Sequence, residues 1–161
     1  MSAALYLETS ALLSWLLGEP EGDAVRQAVD EAAVVVTSRL TLVESERGLL
    51  RAEQERRISS AERHTLMGLL ARSRSEWFRL ALSEPICDRA ERPFPMEPVR
   101  TLDALHLASA LTALRQIIGG KVQFPKATGK DGARAAKNLC AELKAMQQEK
   151  AADGGQPAET Q

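Results

Sequence analysis

Ala3-Ala4-Leu5-Tyr6-Leu7-Glu8-Thr9-Ser10-Ala11-Leu12-Leu13-Ser14-Trp15-Leu16, residues 3–16, changes its periodicity halfway along. Ala3 to Leu7 is short and apolar, as a buried strand would be, and Ala11, Leu12, Trp15 and Leu16 then recur at helical spacing. Thr9 or Ser10 offers a hydroxyl to cap that helix, and Gly18-Glu19-Pro20 stops it. The stretch therefore reads as a β-α unit with an acid, Glu8, at its junction.

The same grammar repeats downstream. A helix is expected from Gly22 to Asp30, and Ala32 to Val36 supplies the β-branched run of a buried strand. Thr37 or Ser38 can cap the next helix, expected over Arg39 to Arg57, which carries a second acid, Glu44, in its second turn. Ser59 and Glu62 have the spacing of a capping box, and Leu66, Leu69 and Leu70 give the following helix its apolar stripe. Trp77 to Leu82 reads as a short strand or an extended connection. Pro85, Pro93, Pro95 and Pro98 break up residues 84 to 100, which must contain a loop.

Thr101 to Ile118 is the clearest helix, with Leu107, Leu111, Leu114 and Ile118 in one stripe and Gly119-Gly120 at its end. Val122-Gln123-Phe124 can begin a last strand, limited by Pro125 and Gly129, and Ala133 to Met146 is helix-compatible. From Gln147 onward large apolar residues are missing and disorder is expected. Strands alternating with helices predict an α/β fold with a mainly parallel sheet and more helix than strand.

A chain of 161 residues with 44% hydrophobic side chains suits one domain with a real core. Its 21 Lys and Arg are balanced by 22 Asp and Glu, so any grip on phosphate must be local. Arginines cluster at Arg47, Arg51, Arg56 and Arg57, at Arg72, Arg74 and Arg79, and at Arg89, Arg92 and Arg100, mostly interleaved with Glu as on a solvated helix face. Trp77 and Phe78 can stack a base, although core packing suits them better. Cys87 and Cys140 lack ligand spacing and read as reduced packing residues, no run approaches the ~20 apolar residues of a membrane helix, and no leader pattern opens the chain. A cytoplasmic protein is the expectation.

The chemistry lies in three carboxylates, Glu8, Glu44 and Asp103, each near the point where a helix begins. In an α/β sheet the carboxyl ends of the strands are where ligands bind, so acids brought there can share one divalent cation. Such an ion polarises a phosphoryl oxygen and lowers the pKa of attacking water, which is the chemistry of phosphodiester hydrolysis. Each acid also has an ordinary explanation. Glu8 and Asp103 suit the positive end of a helix, and Glu44 has Arg47 and Arg51 on its own helix. His106 shares a face with Asp103 and can orient it, or simply pack among leucines. Zinc is poorly served by the few Cys and His, and no GxxxxGK[ST] or GxGxxG occurs.

At Tyr6-Leu7-Glu8-Thr9-Ser10-Ala11-Leu12, Leu42-Val43-Glu44 and Leu102-Asp103-Ala104-Leu105-His106-Leu107-Ala108-Ser109-Ala110 the sequence resembles PIN domains, in particular the VapC-type toxin ribonucleases of toxin-antitoxin pairs. The resemblance runs from the start to about residue 118. It implies a three-layer α/β/α sandwich spanning residues 1–146, diverged from about 120, with 147–161 as a tail. It also implies a metal-dependent endoribonuclease using Mg²⁺ or Mn²⁺, with Glu8, Glu44 and Asp103 as the catalytic, metal-gathering acids. Thr9 or Ser10 would supply a nearby hydroxyl, and His106 would support the site. The implied partners are an RNA substrate, a small antitoxin protein and a second copy of the chain.

Two departures stand out. The family ordinarily has Asp where this chain has Glu8, and the extra methylene moves the carboxylate by ~1.5 Å. The family closes with a strand, an Asp and a helix, for which the nearest acid here is Asp131, itself readable as a loop acid or cap. These departures define the alternative, a PIN-like module that binds RNA or a protein without cutting.

Overall fold

The computed structural model describes residues 4–118. In chain order these form β1 (Ala4–Tyr6), α1 (Thr9–Leu16), α2 (Gly22–Glu31), β2 (Val34–Ser38), α3 (Arg39–Gln54), α4 (Ser60–Glu76), β3 (Phe78–Leu80), α5 (Glu84–Ala90) and α6 (Thr101–Ile118). The three strands are parallel in the order β1-β2-β3, with Tyr6 opposite Val36 and Ser38 opposite Leu80.

Alternation along the strands divides the core in two, because successive strand side chains point to opposite faces. Val35 belongs to a cluster with Leu12, Trp15 and Leu16 of α1, Val29 of α2, Leu42 and Leu49 of α3 and Leu66, Leu69 and Leu70 of α4. Tyr6, Val34, Val36, Phe78 and Leu80 form the other face, against Ala113 of α6. Helices thus cover both sides of the sheet, giving the α/β/α layering. Burial of each large apolar side chain stabilises this arrangement by ~1.5–3 kcal/mol.

Local signals set the element ends. Ser38 Oγ accepts the N–H of Thr41 and caps α3, and Ser59 and Glu62 form the capping box foreseen at α4. At the end of α1, Gly18 takes φ 67°, and the N–H groups of Gly18 and Glu19 bond back to the carbonyls of Trp15 and Ser14. This is the left-handed helix stop that glycine makes without steric cost.

Three expectations are revised. Pro85 does not break residues 84–100 from their start, since it occupies the first turn of α5, where a missing N–H costs nothing; the loop follows at 91–100. The leucine stripe of α6 is not its buried face. Leu107 and Leu114 are 44% and 52% exposed, while Ala104, Ala108, Ser109 and Ala113 face inward. Small residues let α6 lie close to the strands, which the larger leucines would prevent. Lastly, Thr9 and Ser10 do not cap α1, because Glu8 does so. The expected strand at 122–124, the helix at 133–146, Asp131, Cys140 and the tail lie outside the described residues.

Candidate active site

The parallel strands bring β1 and β2 to a common carboxyl edge. Leu7 N–H donates to the carbonyl of Val36 at 2.8 Å, and the Thr37 hydroxyl donates to the carbonyl of Leu7 at 2.8 Å. Glu8 and Ser38 follow directly as the N-caps of α1 and α3, so both helices begin at this edge. On the opposite side of the sheet α6 passes behind β2 with Ala108 and Ser109 fully buried.

Three of the anticipated residues meet there. The Thr9 hydroxyl of α1 donates to Glu44 Oε2 of α3 at 2.5 Å. His106 Nε2 of α6 lies 2.7 Å from the same oxygen and 3.2 Å from Thr9 Oγ1. A carboxylate oxygen accepts, so the tautomer of His106 that bonds Glu44 is the one with its N–H at Nε2. His106 Nδ1 is buried without a hydrogen-bond partner among the described residues. Glu44 is thereby fixed by two side chains from separate helices, joined across 35 and 62 residues of sequence.

Glu8 behaves differently. Its Oε1 accepts the Ser10 hydroxyl at 2.5 Å and the Ala11 N–H at 2.6 Å, and its Oε2 accepts the Ser10 N–H at 2.9 Å. Burial pushes its pKa up, but the Ser10 hydroxyl, the Ser10 and Ala11 amides and nearby His106 outweigh that and hold it below the ordinary glutamate value. The longer side chain has folded back onto its own helix. Because this pKa is lowered on folding, the stability it brings is present above the unfolded value near 4.5 and is lost as pH falls through the folded value. Glu8→Ala should therefore be less stable than the parent by ~1 kcal/mol at neutral pH. That gap should shrink in denaturation curves as the pH is taken below 4.5 and down through the lowered folded value, and a gap independent of pH would show that the carboxylate is not the cap that matters.

Asp103 stands exposed in the first turn of α6, one turn before His106, with no hydrogen-bond or ion-pair partner among the described residues. Glu8, Glu44 and Asp103 do not form a shared cage, since among the described residues no three His, Cys, Asp or Glu side chains gather as a metal-holding group. What is present is a set of hard oxygen donors: Glu44, Asp103 and the Thr9 hydroxyl. Mg²⁺ typically keeps several waters and uses one or two carboxylates together with substrate phosphate. By chemistry these are the donor atoms that such an ion takes, with Glu44 and Thr9 in contact and Asp103 on the helix that carries His106.

Beneath this cluster the hydroxyl of Tyr6 is buried near those of Ser38, Thr41 and Ser109, although it forms no hydrogen bond of full geometry. Burial raises the Tyr6 pKa, so the group stays a neutral donor. Sequence reading passed over this polar floor and over the clamp made by Ser10. A serine or tyrosine inside an apolar run carries no periodic signal of a contact across the sheet. Trp77 is buried and Phe78 packs beside Val36 and Leu80, so both belong to the core. Among the arginines, Arg57, Arg63 and Arg74 pair with Glu19, Glu53 and Glu46 at 2.6, 2.6 and 2.8 Å. Arg92 and Arg100 enter no ion pair among the described residues.

Residues 5–117 match the family model of the PIN domain. Ribonuclease VapC46 of Mycobacterium tuberculosis is 35% identical over 108 residues, which is 67% of this chain and 75% of that protein. No solved structure matches the chain.

Proposed function

Because this chain belongs to the PIN domain family and is a VapC-type member of it, we propose that it is an endoribonuclease, the toxin of a type II toxin-antitoxin pair, that hydrolyses RNA phosphodiester bonds with Mg²⁺ or Mn²⁺. The observation that carries this reading is the convergence of Thr9, Glu44 and His106, from three separate helices, at the carboxyl edge of the parallel sheet. Glu44 and Asp103 would hold the cation, with Asp131 as a further candidate acid. When bound, the ion supplies charge to the phosphoryl oxygens and acidifies a water.

The chain's own residues prepare that chemistry. Thr9 and His106 hold one oxygen of Glu44 from two sides, so its carboxylate enters the reaction in a fixed orientation and little reorganisation remains. Asp103, exposed one turn earlier on α6, faces arriving substrate without a competing partner among the described residues. Arg92 and Arg100 lie before that turn and can take phosphate. A small antitoxin covering this edge and a second copy of the chain are the proposed protein partners. No helix among the described residues is long and apolar enough to cross a membrane.

The position of Glu8 supports a second reading, a PIN-like module that binds RNA or protein without cutting. The two separate on RNA cleavage in Mg²⁺ or Mn²⁺. Cleavage by the parent chain that EDTA abolishes is the expected result. Glu8→Asp should raise its rate, by up to about a hundredfold if the displaced carboxylate limits it. No cleavage by either protein leaves the binding module as the function.

A further inference from the structure

Beside the first turn of α6, the geometry points to a pocket for one unpaired nucleobase of single-stranded RNA, with Phe94 as its stacking wall. This rests on the ribonuclease reading above and adds the part of the substrate that the chain grips. A cavity of about 270 Å³ opens between the end of α5, the loop 91–100 and α6, lined by Arg92, Pro93, Phe94, Glu97, Val99 and Ala104 among others. It lies at the small end of ligand pockets, the size for a single planar group rather than a whole cofactor.

Three observations select a nucleobase. The first is position, because the cavity reaches Ala104 in the first turn of α6, the turn that also carries Asp103. In a nucleotide the base hangs one sugar away from its phosphate, and the two sites are neighbours on that scale. The second is the wall. The Arg89 guanidinium sits 4.1 Å from the centre of the Phe94 ring, a cation–π contact that braces the ring from one face while its remaining surface lines the cavity. The third is charge. Arg92 on the wall and Arg100, next to the lining residue Val99, carry no ion pair among the described residues, and of the two carboxylates that also line the cavity, Glu91 and Glu97, the second is taken up by two backbone N–H groups. Guanidinium groups suit a phosphate, and the aromatic ring beside them suits the planar base attached to it.

The loop is built to stay open. Glu97 accepts the N–H of Phe94 at 2.8 Å and the N–H of Val99 at 2.7 Å, one on each oxygen. Arg89 also donates to the carbonyl of Arg92 at 3.2 Å. The wall is therefore held from both sides of the cavity before any ligand arrives, which lowers the ordering cost of binding.

The test uses the full chain and a fluorescein-labelled single-stranded RNA of roughly twelve nucleotides, titrated by anisotropy in EDTA so that binding is read apart from cleavage. Phe94→Ala should weaken binding about tenfold, Phe94→Leu should resemble it, and Phe94→Trp should restore the parent affinity, because stacking needs a ring and not merely volume. Circular dichroism melts of each variant establish that the fold is kept. Unchanged RNA affinity in folded Phe94→Ala and Phe94→Leu overturns the pocket and leaves the cavity to a protein partner, while Asp103-dependent cleavage would still stand. Phe94-dependent RNA binding by a parent chain that never cleaves supports the pocket and removes the nuclease reading instead.

Discussion

Asp103→Asn should lower RNA cleavage by about a hundredfold or more while leaving the melting temperature within a degree or two of the parent. The substitution keeps the shape of the side chain and removes its charge. A carboxylate that holds a hard cation contributes several kcal/mol to stabilising the charge that develops at phosphorus, and an amide oxygen is a far weaker ligand. Stability should hardly move, since Asp103 is exposed and partnered to nothing among the described residues, and the helix-dipole contribution of an acid in a first turn is ~0.3–1 kcal/mol. Single-turnover cleavage with Mg²⁺, alongside a thermal melt, separates the two quantities. Persisting cleavage at the parent rate would remove Asp103 from the site.

Trp15→Ala should be the most damaging of the core truncations. Trp15 is 2% exposed and lies in α1 at the centre of the larger apolar cluster. Gly22 opens α2 so close to it that a Cβ there would come within 3.0 Å of the Trp15 Cα and 2.7 Å of the Ser14 carbonyl oxygen. The neighbouring helix is pinned by backbone against backbone and has little freedom to collapse into the space the indole leaves. Truncation of a buried Trp costs ~3–5 kcal/mol where the site cannot relax, out of a total near ~5–15 kcal/mol. Chemical denaturation should show a large fall in midpoint with an unchanged slope. A loss under ~1 kcal/mol would mean that the α1–α2 contact is looser than described.

The sequence revealed the fold where a residue's neighbours in the chain are also its physical determinants. β1 and β2 were legible as apolar runs, the Ser59–Glu62 box as a spacing, and α6 from its start at Thr101 through Ile118. Missed features depended on distant parts of the chain. Which face of α6 is buried follows from how near the sheet lies, so Ala108 and Ser109 are covered where Leu107 and Leu114 had the stronger pattern. In the site, Glu8, Thr9, Glu44, Asp103 and His106 were all identifiable as candidates. Their partnership was not, because Thr9 and His106 meet across 97 residues. Nor does the sequence distinguish a glutamate that reaches into a site from one that turns back to its own helix, since both begin at the same Cα.

The small inward face of α6 sets the calibre of the site. His106 and Asp103 ride on a rod whose standoff from the sheet is set by small buried residues, Ala108 and Ser109 with no exposed surface and Ala113 packed with Val36 and Leu80. A packed interior does not yield smoothly to an added methylene. A larger side chain at Ala108 would displace the rod as a whole and carry both residues away from Glu44 together. The 2.7 Å contact between His106 and Glu44 is thus gauged by the least reactive residues in the helix, and drift at those alanines would detune the site while every acid in it stayed in place.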